Sequence, residues 1–233
     1  MRKFSIPILL SFNGGFVDAA GFLALQGLFT SHVTGNFVTL GAALVSGTHG
    51  IFAKVAALPE FIIVIVIARV LGSVFRKKGL DALWLLLLIE TLLLLAFFLL
   101  AVTLGPFVDS DAPAALLVGF TGVAAMAIQN AVQRVHFASI PPTTIMTGNT
   151  TQAVLDAVDL WRNDADRDRA IVKARFALTV RAIVCFALGC GAAAAAYFWT
   201  DLWCLALPPL VAMLIAMSSR GYNPAASEFT PVK

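Results

Sequence analysis

The sequence has little charge: Asp, Glu, Lys and Arg make up 12% of its 233 residues, whereas hydrophobic residues make up 60%. Soluble domains carry about 25% charged and about 45 to 50% apolar residues. This shortage of charge excludes a soluble enzyme. It indicates a chain that crosses a lipid bilayer in segments of about 20 apolar residues.

Cysteines and catalytic motifs are also scarce. The three cysteines, Cys185, Cys190 and Cys204, lie in apolar runs without CxxC spacing and favour neither a disulfide framework nor a metal site. The sequence contains no nucleotide-binding loop, HExxH or GxSxG motif. The net charge of only +3 gives no indication of nucleic-acid binding. Because the motifs are missing, we expect no cofactor, no metal and no enzymatic activity.

The N-terminus imitates a signal peptide, because Met1-Arg2-Lys3 precedes an apolar run. A polytopic protein needs no cleaved signal, and Asn13 and Asp18 fit within a membrane span. We therefore expect the first apolar segment to remain as a span.

The apolar residues form six long segments, which predict an all-α membrane protein with six transmembrane helices. Two shorter segments, Thr34 to Ser46 and Thr147 to Leu160, are about 20 Å long as helices, too short for a hydrocarbon core of about 30 Å. They are half-spans, surface helices or pieces of a broken span. Pro208 and Pro209 predict a kink in the last span. The six segments are Ser5 to Phe29, Val55 to Phe75, Ala82 to Leu104, Pro113 to Val135, Phe176 to Trp199 and Leu202 to Ser219.

The basic residues predict the orientation, because cytoplasmic loops collect Lys and Arg. Six crossings with both termini inside leave Lys54 alone on the outside. This distribution predicts a multi-pass membrane protein with both termini cytoplasmic. The twelve basic residues inside are Arg2, Lys3, Arg76, Lys77, Lys78, Arg162, Arg167, Arg169, Lys173, Arg175, Arg220 and Lys233.

The sequence contains an internal repeat: Thr30–Asn36 recurs as Thr143–Asn149, with four of seven residues identical. Within a single membrane domain, 1–233, this predicts repeats at 5–104 and 113–219, followed by a cytoplasmic tail at 220–233. Because three spans per repeat is an odd number, the second repeat is inverted relative to the first, as in many transporters. The alternative is a duplication that only built a stable bundle.

Four motifs together resemble the YoaK-type family of bacterial integral membrane proteins. Ala127 departs from the family pattern, in which Gly often precedes the third motif. The resemblance covers nearly the whole chain and implies a location in the cytoplasmic membrane, but no substrate. The motifs are Gly15–Phe22, Ser31–Asn36, Ile128–Ala131 and Met146–Asn149.

Each Thr-Gly-Asn segment has the composition of a helix start. Thr34 and Thr147, or Asn36 and Asn149, are candidates to cap a helix N-terminus, and the intervening Gly35 and Gly148 permit close backbone approach. If both short helices enter from opposite faces, their N-termini face a shared cavity suited to an anion or a polar neutral molecule. The alternative is a pair of helices lying flat at the interface.

Two carboxylates lie deep in predicted spans, where each costs about 2.5 to 3.5 kcal/mol. Asp18 aligns with Asn130, which follows Gln129, and it either carries a proton or cation or forms a buried hydrogen bond to Asn130 or a Thr-Gly-Asn loop. Glu90 either participates in transport or forms an ion pair with Arg69 or Arg181.

These features favour a small-solute or ion transporter or channel, with the lipid bilayer and an unidentified solute or ion as partners. Homo-oligomer formation is left open. The alternative is a non-transporting scaffold or partner subunit whose polar residues serve packing. A lipid-modifying enzyme is least favoured. The predicted path consists of Asp18, Thr34, Gly35, Asn36, Gln129, Asn130, Thr147, Gly148 and Asn149.

Overall fold

The computed structural model describes residues 5–162 and 168–220. The described part of the chain is all-helical, with eight α-helices and one 3₁₀ helix. The predicted tail at 220–233 lies outside the described residues except for Arg220, as do residues 163–167 of the predicted cytoplasmic loop. The helices are α1 (Ser5–Ala24), α2 (Gly35–Ser46), α3 (Ile51–Lys77), α4 (Ala82–Leu104), α5 (Pro113–His136), α6 (Met146–Arg162), α7 (Arg169–Thr200), the 3₁₀ helix Asp201–Ala206, and α8 (Leu207–Ser219).

Five helical stretches are long and apolar enough to cross a membrane. Four correspond to α1, α3, α4 and α5, in agreement with the predicted spans. The fifth, Arg169–Ser219, joins α7, the 3₁₀ helix and α8. The two shorter predicted segments form α2 and α6.

The last predicted span is divided between the 3₁₀ helix and α8. Asp201 ends α7 with φ +50° and ψ −135°. Pro208 and Pro209 stand in the first turn of α8, where a missing N–H costs no helical hydrogen bond, so they begin a helix rather than kink one.

The 3₁₀ helix and α8 run antiparallel to α4. Trp203 packs edge-on against Phe98 near the end of α4, with ring centroids 5.8 Å apart. At the other end, the Arg220 guanidinium lies 4.4 Å from the ring centroid of Trp84. The chain therefore reverses direction after α7.

The helices pack in related pairs. Helix α1 packs on α7, and α5 packs on α3; α2 lies on α3, and α6 on α7; α4 contacts α5 and α8, both of which contact α1. The crossing of α1 and α7 is close, because a Cβ at Gly189 would overlap the carbonyl oxygen of Phe12 and one at Gly15 would overlap that of Phe186. Glycine at these two positions lets the backbones meet.

Candidate functional site

The segment between α1 and α2 is held by the carboxylate of Asp18. Its Oδ1 accepts hydrogen bonds from the backbone N–H groups of Thr30 (3.1 Å), Ser31 (2.7 Å) and His32 (3.2 Å). Asp18 is 4% exposed, so three backbone dipoles and a side-chain contact replace the water that the carboxylate loses. The sequence left two hydrogen-bond partners open for Asp18, Asn130 and a Thr-Gly-Asn loop. In the structure Asp18 binds the loop, and Asn130 binds Thr144 instead.

The second oxygen of Asp18 faces a histidine. His32 Nδ1 lies 3.0 Å from Asp18 Oδ2, and the His32 side chain is 37% exposed. The hydrogen bond from Asp18 and its negative charge raise the pKa of His32 above its usual value, although partial burial lowers it. His32 therefore binds its proton more tightly than a free imidazole does.

Asn36 does not cap α2. Its side chain reaches seven residues back, where Oδ1 accepts from Phe29 N (2.8 Å) and Nδ2 donates to Phe29 O (2.9 Å). Thr34 makes no capping hydrogen bond either. The first-turn N–H groups of Gly35 and Asn36 instead donate to the carbonyls of His32 and Val33. The prediction that Thr34 or Asn36 caps the helix is wrong, because a preceding turn already satisfies these donors.

The second repeat has an equivalent arrangement. Asn149 Nδ2 donates to Pro142 O, also seven residues back, at 2.7 Å. Asn130, the counterpart of Asp18, accepts from the Thr144 hydroxyl at 2.7 Å, and its own amide donates to Met126 O. Thr147 lies inside the first turn of α6, so it does not cap that helix. These residues act as ties between the spanning helices and the loops.

The segment between α1 and α2 (25–34, the first loop) and the segment between α5 and α6 (137–145, the second loop) both lie between α1 and α5. The Thr30 methyl would lie 2.9 Å from a Cβ at Gly21 of α1 and 3.1 Å from one at Gly122 of α5. Asp18 stands six residues before the end of α1, which places the first loop about 9 Å in from that end.

The second loop enters from the opposite end. The Thr144 methyl would lie 3.1 Å from a Cβ at Gly14, nine residues after the start of α1 and about 14 Å from it. Asn130 stands six residues before the end of α5, about 9 Å from that end. The two short helices therefore begin inside the ends of the spanning helices and run outwards along α3 and α7.

The predicted path residues do not all face the interior. Thr34, Thr147 and Gly148 are exposed, and Gly35 is half-buried. A shallow groove beside Thr147 is lined by Thr150, Thr151, Val154 and Leu155 on the outer side of α6. The buried members of the set are Asp18, Asn36, Gln129 and Asn149.

Gln129 joins α5 to α1 about 10 Å from the end of α5. Its Nε2 donates to Leu10 O at 3.1 Å, whereas its Oε1 is buried and has no partner among the described residues. Asn13, which the sequence interpretation did not select, is fully buried nearby, and its side-chain oxygen and nitrogen are also unpartnered there. The signal for Asn13 was available, because an amide inside a membrane span is itself unusual.

The predicted ion pair of Glu90 does not form. Glu90 is fully buried, and neither carboxylate oxygen has a hydrogen-bond partner among the described residues. Arg69 and Arg181 are both exposed, on the outer faces of α3 and α7. Arg69 lies eight residues before the end of α3, and Arg181 lies five residues after the start of the predicted span at Phe176. From these positions the long side chains reach the interface along the outer faces of their helices.

The strongest ion pair lies elsewhere and was not predicted. Arg175 of α7 approaches the fully buried Asp156 of α6 with Nη2 2.5 Å from Oδ1 and Nε 3.0 Å from Oδ2. Gln152 also donates to Asp156, at 2.8 Å. The spacing of buried residues along α6, Asn149, Ala153 and Asp156, is the signal that identifies this inward face. The pair holds the outer half of α6 against α7.

No group of three or more His, Cys, Asp or Glu residues that would suit a metal ion occurs within residues 5–162 and 168–220. The three cysteines are free thiols in the structure.

Comparison with known proteins identifies the family. A family model described as "Protein of unknown function (DUF1275)" matches residues 6–218. The UPF0700 transmembrane protein YoaK of Bacillus subtilis (strain 168) is 30% identical over 150 residues, which cover 64% of this chain and 64% of that relative. No solved structure matches the chain. These matches confirm the resemblance, and because the family model covers nearly the whole chain, the chain belongs to the DUF1275 family of proteins of unknown function.

Proposed function

We propose that this membrane protein is a small-solute or ion transporter or channel of the bacterial cytoplasmic membrane. The observation that carries the proposal is the insertion of two loops between α1 and α5 from opposite ends, each tied about 9 Å inside the end of a spanning helix and leading into a short helix. Irregular backbone at membrane depth is tolerated where protein encloses it or where it lines a cavity, and transporters place their sites at such breaks.

Six crossings and an inverted repeat form part of the proposal. The 3₁₀ helix adds about 12 Å and α8 about 20 Å, which together match a hydrocarbon core of about 30 Å. Their antiparallel course along α4 supports a sixth crossing, with both termini cytoplasmic. The helix pairs support the repeat. Exchanging α1, α2, α3 and α4 with α5, α6, α7 and α8, in that order, converts α1–α7 into α5–α3, α2–α3 into α6–α7 and α4–α5 into α8–α1, and all of these contacts are observed.

The roles of the polar residues follow from their contacts. Asp18, Asn36, Asn130 and Asn149 are occupied by hydrogen bonds that position the loops. Gln129 retains an unpaired oxygen about 10 Å from the end of α5. In this proposal the four loop-tying residues set the shape of the path, and Gln129 faces what moves through it.

Transport is tested with purified protein in liposomes. Uptake of urea and glycerol is followed by light scattering, and fluxes of H⁺, Na⁺ and NH₄⁺ with trapped fluorescent indicators. We expect faster movement of at least one probe than in empty liposomes. The matched variant is Gly14→Val, because Thr143, Thr144 and Gln129 surround this glycine and added carbons would displace the second loop.

The variant should reduce the flux while preserving the elution volume of the protein in detergent. Equal permeability of empty, wild-type and Gly14→Val liposomes to every probe would contradict the transporter proposal.

The topology is tested separately by labelling single cysteines. A cysteine at Thr48 should react with an impermeant thiol reagent in intact cells, whereas one at Gly79 should react only after the membrane is opened. The reverse pattern would overturn the proposed orientation.

A non-transporting scaffold or partner subunit is the second candidate function. It is favoured by one observation: both oxygens of the Asp18 carboxylate are occupied within the protein, Oδ1 by three backbone N–H groups and Oδ2 by His32. For this candidate, Asp18→Asn and Asn36→Ala lower stability in detergent, and no probe moves faster than in empty liposomes.

A further inference from the structure

Five polar side-chain atoms without partners belong to three fully buried residues of the spanning helices. They are Glu90 Oε1 and Oε2, Asn13 Oδ1 and Nδ2, and Gln129 Oε1. Buried polar groups are nearly always paired with protein, water or ligand, so each unpaired group needs an explanation.

The register of the helices places Glu90 and Gln129 at one level. The ring of Phe97 on α4 lies 3.2 Å from the position of a Cβ at Gly122 on α5, and the two helices are antiparallel. Seven residues make about two helical turns and return to the same face. Counting seven residues back from Phe97 and forward from Gly122 therefore brings Glu90 opposite Gln129.

Asn13 lies at the same level on α1. Gln129 Nε2 donates to Leu10 O and lies 3.2 Å from the position of a Cβ at Gly14. These two contacts bracket Asn13 along α1. Helices α1, α4, α5 and α8 thus enclose a polar layer of Asn13, Glu90 and Gln129, which we call the central layer.

The central layer separates the two apolar clusters of the protein. One cluster contains Phe16, Leu94 and Met126, and the other contains Leu10, Leu87 and Ile128. In α1, α4 and α5 alike, the polar residue falls where one cluster gives way to the other. Half of the ten buried, unpartnered side-chain atoms among the described residues therefore lie in this layer, between the two apolar clusters.

No fixed positive charge faces the central layer from the described helices. Helix α8 carries no titratable side chain, and Asp18 on α1 is occupied by the first loop. On α3, Gly72 lies opposite Leu86, which brings Ala68 level with Glu90; the neighbouring Arg69 is exposed. The remaining charged or titratable groups on the elements that contact α4 lie away from this level, at Lys54, Glu60, Arg76, Lys77, Arg134, His136 and Asp201.

The unpaired atoms of the central layer are mostly acceptors. Four oxygens, two from Glu90 and one each from Asn13 and Gln129, face a single donor group, the Asn13 amide nitrogen. An anion would add acceptors and negative charge, whereas a cation would supply what the layer lacks. Carboxylate and amide oxygens are the ligands that hard cations prefer.

We propose that the central layer is a cation site, in which Glu90 supplies the charge and Asn13 and Gln129 supply neutral oxygens. A proton and a sodium ion share this chemistry. The role of this cation as the transported or coupling ion rests on the proposed transport function, but its binding is measurable without transport.

The test compares wild-type protein with Glu90→Gln, a near-isosteric change that removes the charge. Melting in detergent is measured with NaCl or choline chloride at alkaline pH, where protons compete least. If the site takes sodium, Na⁺ raises the melting temperature of the wild type, and Glu90→Gln loses that rise. Asp109→Asn, which removes a carboxylate from an external loop, should respond as the wild type does.

Infrared spectroscopy of the same proteins tests for a proton. If the site takes a proton, the wild type shows a carboxylic acid C=O band that shifts in D₂O, is absent from Glu90→Gln and persists in Asp109→Asn. Asn13→Ala, which deletes one neutral oxygen, should weaken the sodium response or move the pH at which the band disappears.

Two outcomes overturn the proposal: wild type and Glu90→Gln respond equally to sodium and share the same infrared bands, or the wild type shows neither response. Binding without any flux in liposomes contradicts the transporter alone. Flux without cation binding contradicts the central cation site alone.

Discussion

Removing the carboxylate of Asp18 should release the first loop, whereas removing its counterpart Asn130 should disturb the second loop much less. Asp18→Ala leaves three backbone N–H groups, those of Thr30, Ser31 and His32, without their acceptor. Asn130→Ala leaves one buried hydroxyl, that of Thr144, without its acceptor. The two substitutions therefore provide a matched comparison at equivalent positions of the two repeats.

The magnitude follows from these counts. A buried donor left unpaired costs about 1 to 3 kcal/mol, although hydrogen bonds in membrane proteins average only about 0.6 kcal/mol because the unfolded state finds other partners. With about 0.6 to 2 kcal/mol per bond, a range between these two limits, the three lost bonds of Asp18→Ala give a loss of about 2 to 6 kcal/mol. One lost bond gives about 0.6 to 2 kcal/mol for Asn130→Ala.

The assay is reversible unfolding in mixed micelles with increasing dodecyl sulfate, followed by tryptophan fluorescence. Asp18→Asn should fall between wild type and Asp18→Ala, because it keeps one acceptor oxygen and loses the charge. If Asp18→Ala unfolds at the same dodecyl sulfate fraction as Asn130→Ala, Asp18 is not the anchor of the first loop.

Three further predictions concern other contacts. Gly189→Leu should destabilise the fold by at least about 1 to 3 kcal/mol in the same unfolding assay, because its side chain would overlap the α1 backbone, whereas the leucine of Gly191→Leu meets open space. Arg175→Met should cost about 1 to 3 kcal/mol, since it removes the charged partner of a buried carboxylate while the arginine itself is 42% exposed, and adding Asp156→Asn should recover part of that loss. Asp18 raises the pKa of His32, so the stabilisation from their pairing is complete below the unfolded pKa of about 6.5 and is lost as the pH rises through the higher folded value. The melting temperature of the wild type should therefore fall over this pH range, and that of His32→Ala should not show this fall.

The spanning helices were predictable because each satisfies its backbone hydrogen bonds within its own segment, so that local hydropathy is enough to locate it. α4 begins and ends at its predicted residues, and α5 extends one residue further. The last span was less predictable, because its first third is a 3₁₀ helix whose direction depends on the backbone at Asp201. Hydropathy averages over such a turn and does not reveal it.

The polar residues were predictable as a set but not in their roles. Repetition of Thr-Gly-Asn located the loops, yet the partners of Asn36 and Asn149 are backbone groups seven residues away, which no side-chain pattern reveals. Glu90 was matched with a basic partner because charge pairing is the simplest way to bury a carboxylate. In the structure neither oxygen of Glu90 has a partner among the described residues, and the helix register brings it level with Gln129, a relation that depends on how α4 packs against α5.

Asp18 and Asn130 differ in the donors from which they accept hydrogen bonds. The first loop presents N–H donors at Phe29, Thr30, Ser31 and His32, of which Asn36 takes the first and Asp18 the other three. At the position of Phe29 the second loop has Pro142, which has no N–H, so Asn149 makes only the donating half of the contact. Asn130 accepts from a single hydroxyl with one oxygen, whereas Asp18 accepts from three backbone N–H groups. The two loops are therefore tied in similar ways, but by a carboxylate at Asp18 and by a neutral amide at Asn130. A path bounded by both loops would meet a carboxylate on one side of the membrane centre and a neutral amide on the other.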